Sequence, residues 1–310
     1  MKINFSAIFI LGSFLVSCSN ETNPNNSDLK THKDNVQGFW NRIGTIQLVN
    51  GIAVDTLLIK NSENPDFKQI KAFKDDNTIW INNYKDSLSP WKGGSGGYGK
   101  FKIHSKDSIT EMISHGTGFW GAMVKNYKDS LNTQNWKFGL TTDFNKNRYT
   151  QKNNPDSQFM EYWEKLPPLE PKSRIDGAWK RVYEIAYING IPVDTISVSS
   201  DIILDVKIIS NGRYTYQVDL TGNSEENTPQ YGGFGGFGTC KFDGENNTFT
   251  EWGEWGSGQW TGTSEPKTDP DVHQLTIYND DLFLQVSKSS VGVLANKGAT
   301  GRGVVYKRIK

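Results

Sequence analysis

Short runs of alternating apolar and polar residues recur along this chain about every 8–12 residues. In the clearest run, Arg213–Leu220, the side chains of Tyr214, Tyr216, Val218 and Leu220 fall on one side of an extended segment. No long segment with a helical period interrupts the pattern. Similar runs rich in β-branched and aromatic residues occupy residues 78–81, 101–103, 109–112, 249–252, 275–278 and 282–286. The pattern predicts an all-β protein with roughly eight to ten strands in each half of the chain.

The pattern is present twice because the chain contains an internal duplication. Residues 38–56 read GFWNRIGTIQLVNGIAVDT, and residues 177–195 read GAWKRVYEIAYINGIPVDT. The offset of 139 residues persists through two glycine-rich segments at 93–99 and 232–238. It becomes 140 for the pairs Glu111/Glu251 and Trp120/Trp260. A period this long indicates a duplicated domain, since solenoid repeats span roughly 20–50 residues.

Asn-Gly pairs mark the predicted hairpins at residues 50–51, 189–190 and 211–212. This pair is a strong hairpin signal because both turn residues must adopt positive φ. An up-and-down barrel or a sandwich accommodates such a run of short strands, and a barrel also removes exposed sheet edges. The predicted domains are residues 36–166 and 176–310. The linker at 167–175 is stiffened by Pro167, Pro168 and Pro171.

The N-terminal residues resemble an export signal. Met1 and Lys2 precede an apolar run at 3–16, which is too short for a spanning helix of ~20 residues. The run ends Leu15-Val16-Ser17-Cys18, which resembles the bacterial lipobox. That resemblance implies a signal peptide at 1–17, palmitate-type acyl chains on Cys18 and anchorage in the bacterial outer membrane. The alternative is an ordinary secretory signal. Residues 18–35 carry almost no apolar side chains and are expected to form a disordered tether.

Gly38-x-Trp40 and Gly177-x-Trp179 open the two copies. Each resembles the first strand of the lipocalin-like (calycin) barrels, in which the tryptophan closes the barrel floor. The resemblance implies two tandem antiparallel β-barrels. It also implies a cation from each final strand packed over that ring, Lys165 in the first copy and Arg308 in the second. The whole chain resembles the tandem lipocalin-like lipoproteins of Bacteroidota.

Composition narrows the possible functions. The formal net charge is zero and no basic patch is evident, which argues against nucleic acid as a partner. With Cys18 lipidated, Cys240 is the remaining cysteine, so each domain is expected to depend on its own core. The four histidines are scattered and no Cys-x-x-Cys spacing occurs, so neither a metal nor another cofactor is expected.

The glycine-rich segments at 94–99 and 233–238 both match the G-x-G-x-x-G pattern. A dinucleotide site needs a helix after that pattern, whereas strand-like residues follow both segments. The interpretations left open are a wide hairpin loop, a glycine-rich bulged strand, or a mouth loop that presents aromatic side chains to a ligand.

Glu111 and Glu251 occupy matched strand positions. Strand periodicity predicts that Glu111 and Ile113 share one face with His115, and that Glu251 shares one with Trp255. A carboxylate inside a barrel is able to act as acid, base or ligand anchor. The alternative, which the sequence favours, is a solvated glutamate on the outer face of an amphipathic strand. Glu111 with His115 is the candidate catalytic pair.

Three functional hypotheses follow. In the first, the barrels of the lipoprotein bind a small apolar or amphipathic ligand, or a glycan. The candidate contact residues are Trp80, Trp120, Tyr214, Tyr216, Trp260, Glu111 and Glu251. In the second, the chain is a barrel isomerase or lyase that uses Glu111 and His115. In the third, it is a structural envelope lipoprotein whose loops contact a protein partner. Most of the aromatic candidates also suit a core position, since a barrel of about eight strands is filled by its own side chains.

Overall fold

The computed structural model describes residues 26–61, 67–83, 94–105, 108–117, 147–152, 157–220, 233–258, 269–287 and 300–310. One helix, α1 (Asn26–Val36), precedes the first unit. The strands of the first unit are β1 (Gly38–Val49), β2 (Ile52–Leu58), β3 (Lys68–Lys74), β4 (Asn77–Asn83), β5 (Ser95–Ser105), β6 (Ser108–Thr117), β7 (Arg148–Gln151) and β8 (Phe159–Lys165). A single 3-10 turn at Ile59–Asn61 follows β2.

The second unit repeats this order. Its strands are β9 (Gly177–Ile188), β10 (Ile191–Ser197), β11 (Ile202–Ser210), β12 (Arg213–Leu220), β13 (Gly233–Asp243), β14 (Thr248–Gly258), β15 (Asp271–Asn279), β16 (Leu282–Ser287) and β17 (Thr300–Arg308). Each strand pairs antiparallel with its neighbour, and β17 also pairs with β9. Eight strands therefore close into a barrel, and β10 lies outside the ring.

The prediction of an all-β fold with two barrel-like units is confirmed. The first unit is a curled sheet in the order β6-β5-β4-β3-β1-β8-β7, with β2 paired to β1. No pairing between β6 and β7 occurs among the described residues. The predicted Asn-Gly turns are also confirmed. Both residues of each turn have positive φ, from 53° and 78° at Asn50 and Gly51 to 50° and 81° at Asn211 and Gly212.

Along one edge, the first strand of each unit pairs with two different strands, one at its start and the other at its end. The start of β1 pairs with β3 and its end pairs with β2, while β9 pairs first with β11 and then with β10. The hairpins β1–β2 and β9–β10 therefore project beyond the rings. Their tips carry several of the exposed apolar side chains, including Ile52, Val54, Ile191 and Val193.

A buried tryptophan closes one end of each unit, which we call the floor. The indole nitrogen of Trp40 donates to the carbonyl of Val36 at 2.7 Å, and Trp179 makes the same bond to Ile175 at 2.8 Å. The Lys165 ammonium lies 5.3 Å from the Trp40 ring centroid. The second unit repeats this contact at 4.2 Å between the Arg308 guanidinium and Trp179. The predicted cation–π contacts are thus confirmed in both copies.

The expectation of a disordered tether at residues 18–35 is wrong for its C-terminal part, which is helical. Residues 26–35 form most of helix α1. Its end is fixed to the floor because Lys165 donates to the carbonyl of Asn35 at 2.7 Å and Val36 is fully buried. An ion pair of 2.6 Å joins Lys33 to Asp76. These contacts supply the burial and the hydrogen bonds that the polar sequence alone does not suggest.

The two units pack against each other through one apolar cluster. Strands β3 and β4 of the first unit contact β11, β12 and β14 of the second. Equivalent positions contribute from both copies, such as Ile70 with Val206 and Tyr98 with Phe237. The same surface of each copy thus forms the interface, as in an isologous dimer. The cluster comprises Phe39, Ile70, Ala72, Ile79, Ile81, Tyr98, Ala178, Leu204, Val206, Ile208, Phe237 and Trp255.

The proline-rich linker is held against the second unit. The amide groups of Leu169 and Glu170 donate to the carbonyl of Asn211 at 3.0 and 3.2 Å. Arg213 donates to the carbonyl of Pro167 at 3.2 Å. Because the prolines restrict the chain and these bonds fix its path, the linker supports the orientation set by the apolar interface.

Candidate functional site

A buried lysine lies at the centre of the first unit. Lys71 is 3% exposed and donates to Glu111 at 2.8 Å and to Gln151 at 2.6 Å. Its ammonium lies 4.9 Å from the ring centroid of Trp163 and 5.9 Å from that of Phe73. The charge is therefore compensated by a carboxylate, an amide and aromatic faces within an apolar core.

The second unit contains the same arrangement. Lys207 donates to Glu251 at 2.7 Å and reaches Gln285 at 3.5 Å. The Nε2 atom of His273 lies 2.9 Å from the other carboxylate oxygen of Glu251. The Lys207 ammonium also lies within 5.7 Å of three ring centroids, those of Tyr214, Phe249 and Tyr306. We call each of these lysine–glutamate clusters an interior network.

The expectation of solvated glutamates is wrong for both copies. Glu111 is 1% exposed and Glu251 is 6% exposed. Each carboxylate points into its unit, where it accepts a hydrogen bond from a buried lysine instead of contacting solvent. A charged group at such a position is retained only with a partner, and Lys71 and Lys207 supply it.

The predicted pairing of Glu111 with His115 is also wrong. In the register of β5 and β6, Glu111 is opposite Phe101 and His115 is opposite Tyr98. Phe101 and Tyr98 are three residues apart on a continuous strand, so they point to opposite faces. A bulge at Ser114 causes the switch, because it adds a residue to β6 and reverses the alternation.

The second unit has the equivalent bulge. Glu251 is opposite Cys240, whereas Trp255 is opposite Phe237. Glu251 therefore belongs to the interior network and Trp255 to the interface cluster. The predicted common face of Glu251 and Trp255 does not form. In both copies the bulge places one residue of the pair inside the unit and the other at the interface.

The glycine-rich segments are strands rather than loops, and the bulge beside each lies in the partner strand, at Ser114 of β6 and at Glu254 of β14. They lie in β5 and β13. A Cβ atom at Gly97 would come 2.5 Å from the indole nitrogen of Trp80, and one at Gly236 would come 2.5 Å from the Tyr216 ring. Trp80 and Tyr216 therefore cover glycines of a neighbouring strand, as aromatic side chains do in other twisted sheets.

The predicted ligand contacts do not converge on an interior cavity in the described residues. Trp80 and Tyr214 are each 6% exposed, and Tyr214 stacks on Tyr216 with ring centroids 6.4 Å apart. These rings form part of the packed interior. Trp120, Trp260 and Cys18 lie outside the described residues.

Burial and charge act differently on the two interior glutamates. Desolvation raises the pKa of Glu111, and the charge of Lys71 only partly opposes it. Desolvation also acts on Glu251, but its charge and hydrogen-bond interactions with Lys207 and His273 outweigh it and lower the pKa of that carboxyl to about 2. His273 lowers the pKa of Glu251 in the second unit, whereas the negative charge of Glu161 raises that of Glu111 in the first.

We expect acid to weaken the second unit through Glu251. The pKa of Glu251 is depressed below its ordinary value of 4.5, so its contribution is present above pH 4.5 and is lost as pH falls towards 2. A shift of this size corresponds to about 3 kcal/mol. In urea unfolding at pH 5 and pH 3, Glu251→Gln should show a smaller pH-dependent loss than wild type. Glu111→Gln is the matched control. The pKa of Glu111 is raised, so this variant should not show a smaller loss than wild type.

Equal losses in wild type and Glu251→Gln would contradict the assignment of the acid sensitivity to Glu251.

The described residues line a groove between the two units, of about 680 Å³. Its bottom is formed by the apolar residues Ile70, Leu166, Phe237 and Trp255. Charged side chains surround it, namely Arg42, Lys60, Lys68, Arg148, Glu164, Arg213 and Glu254. We call this feature the interdomain groove. Its volume lies within the range of about 300–1,000 Å³ that is typical of ligand pockets.

Charges from both units meet across the interdomain groove. Burial lowers the pKa of Arg213 and raises that of Glu254, and the two groups partly oppose these shifts through their mutual attraction. Lys68 of the first unit adds to the attraction on Glu254. The groove was missed by sequence reasoning because its walls come from distant segments. The one available signal was the alternation of the strands in both copies, which places Ile70 and Phe237 on the outer face of their sheets.

No protein-family model matches the sequence, and a search of curated proteins finds no match. Within the described ranges, no helix combines the length and the hydropathy needed to cross a membrane. The same residues contain no group of three or more histidine, cysteine or acidic side chains placed to hold a metal ion.

Proposed function

We propose that this protein is an outer-membrane lipoprotein that binds a small amphipathic ligand in the interdomain groove. The anchor is the lipid on Cys18, inferred from the lipobox-like sequence at residues 15–18. Helix α1 and the polar residues before it would hold the two-unit body close to the membrane surface. Membrane lipid is then the first partner and the groove ligand is the second.

The observation that carries the proposal is the contrast between the interiors and the groove. The centre of each unit holds an interior network of lysine, glutamate and glutamine packed among aromatic rings. An apolar ligand at that point would have to displace a compensated ion pair, which is costly. The groove instead offers an apolar bottom and a polar rim. We therefore place the ligand between the barrel-like units rather than within them.

A second candidate function is a structural envelope lipoprotein that docks a protein partner. The hairpin tips favour it, because Ile52 is 69% exposed and Val54 is 56% exposed. The equivalent side chains Ile191 and Val193 are 64% and 52% exposed. Repeated apolar residues beside unpaired strand edges are features of interaction surfaces. The bulge separates Glu111 from His115 and so removes the residue pair on which the enzymatic alternative depends.

Leu58 and Leu57 offer a matched test of the groove. Leu58 lines it, whereas Leu57 on the same strand is half exposed and does not. We expect saturation-transfer NMR to detect binding of 4-phenylbutyrate or 4-phenylbutanol to the full-length protein. Leu58→Trp should abolish that binding by filling the groove, and Leu57→Trp should leave it unchanged. Binding that survives Leu58→Trp, or no binding of either probe to wild type, would overturn the proposal.

A further inference from the structure

The cations of the interdomain groove are not equally available to a ligand. Arg42 is committed to Glu161 at 3.3 Å and to Gln69 at 2.9 Å. Arg148 is committed to Glu164 at 2.9 Å. Lys60 and Lys68, by contrast, form no ion pair within 4.0 Å among the described residues. In the described part of the chain, the rim therefore presents two lysines that are not held in an ion pair as Arg42 and Arg148 are.

The second unit adds one more cation and one carboxylate. Arg213 is half-buried, and one of its nitrogens is occupied by the carbonyl of Pro167. The charges of Arg213 and Lys68 both act on the carboxyl group of Glu254. Among the described residues that line the groove, positively charged side chains outnumber negatively charged ones. This surplus sits beside an apolar bottom, in a protein whose formal net charge is zero.

We propose that the ligand of the interdomain groove is an amphipathic anion, an apolar body that carries one carboxylate or sulfate. This inference rests on the proposed binding function and specifies its ligand class. The body packs on Ile70, Phe237 and Trp255, and the head group lies between Lys60 and Lys68. An anion at this position is attracted by both lysines.

Glu254 limits the number of negative charges that the groove accepts. Burial raises the pKa of Glu254, while Arg213 and then Lys68 oppose that shift. The second unit forms one end of the groove. There, the carboxylate of Glu254 offsets part of the positive potential. A second anionic group on the ligand would face Glu254 and be repelled, so a single head group near the first unit fits best.

The test uses three probes that share one apolar body. We compare 4-phenylbutyrate, 4-phenylbutanol and 4-phenylbutylamine on the full-length protein by saturation-transfer NMR. The carboxylate should bind roughly tenfold more tightly than the alcohol, and the amine most weakly. In the double variant Lys60→Gln/Lys68→Gln the carboxylate should lose about that factor while the alcohol changes less than about twofold. Lys241→Gln, an exposed lysine outside the groove, is the control.

The outcomes separate this inference from the function on which it rests. If alcohol and carboxylate bind equally, and both are excluded by Leu58→Trp, the groove binds ligands but the anionic class is wrong. If the double lysine variant leaves the carboxylate affinity unchanged, the assignment to Lys60 and Lys68 is wrong. If no probe binds, the proposed function itself fails. Raising the salt concentration should weaken only the carboxylate, because exposed charges are screened.

Discussion

Lys207→Met alone is expected to lower the free energy of unfolding by about 3–5 kcal/mol, because it leaves the buried carboxylate of Glu251 without its main counter-charge. Glu251 is only 6% exposed, so loss of the 2.7 Å hydrogen bond leaves its carboxylate poorly solvated. Methionine keeps the length of the side chain, so the loss reports charge rather than volume. Urea unfolding at pH 7 followed by tryptophan fluorescence measures it.

The control is the double variant Lys207→Met/Glu251→Gln. It removes both charges and keeps an amide within reach of Gln285 and His273. Replacing both partners of a buried ion pair is often neutral or stabilising, so the double variant should regain most of the loss. If the double variant is as unstable as Lys207→Met, the residues matter through packing and the ionic account is wrong.

Gly238→Ala is expected to cost about 3 kcal/mol or to prevent folding of the second unit. Its Cβ atom would overlap the backbone carbonyl oxygen of Trp252 and lie 2.9 Å from the ring of Tyr214. Since the obstacle on β14 is backbone, relief requires the bulged strand pair to move apart. Thermal unfolding monitored by circular dichroism of the purified full-length variant measures the effect.

Gly51→Ala separates the effect of this overlap from ordinary backbone strain. Gly51 has φ of 78°, but no atom lies within 4 Å of its Cβ position. We expect the left-handed conformation alone to cost about 1–2 kcal/mol. A loss in Gly238→Ala no greater than that in Gly51→Ala would show that the sheet accommodates a side chain at the bulge.

Much of the fold could be predicted because the determining signals are local. The alternation of apolar and polar residues predicted the strands, and the Asn-Gly pairs predicted the turns. The repeated Gly-x-Trp segments predicted the tryptophans that close the floors. The contacts of Lys165 and Arg308 with the floor tryptophans followed from the family resemblance. Each of these features is fixed by short segments or by a motif that both copies carry.

The bulge could not be predicted from alternation, since alternation assumes one residue per step. One additional residue at Ser114 was enough to move His115 away from Glu111. The interior networks did leave a signal that was overlooked. Lys71 and Lys207 lie at matched positions, each between two apolar residues of its strand, and each has a matched glutamate. A charge repeated within buried strands of both copies indicates a compensated pair rather than two exposed residues.

The interdomain groove could not be predicted because it depends on how the two units dock. Lys60 follows β2, Tyr162 lies on β8 and Trp255 lies on β14, so the walls come from segments far apart in the chain. Nothing in any one segment indicates which outer faces will meet. Prediction of this site required the interface cluster, which only the assembled structure reveals.

The isologous packing of the two copies has a consequence for the order in which the chain acquires its structure. The first unit leaves the ribosome before the second, and its face formed by Ile70, Ala72 and Ile79 is apolar. That face stays uncovered until β11 to β14 have been synthesised. The N-terminal copy thus depends on the C-terminal copy to cover its apolar face. Truncation after the linker should therefore yield an aggregating fragment rather than a smaller binding protein.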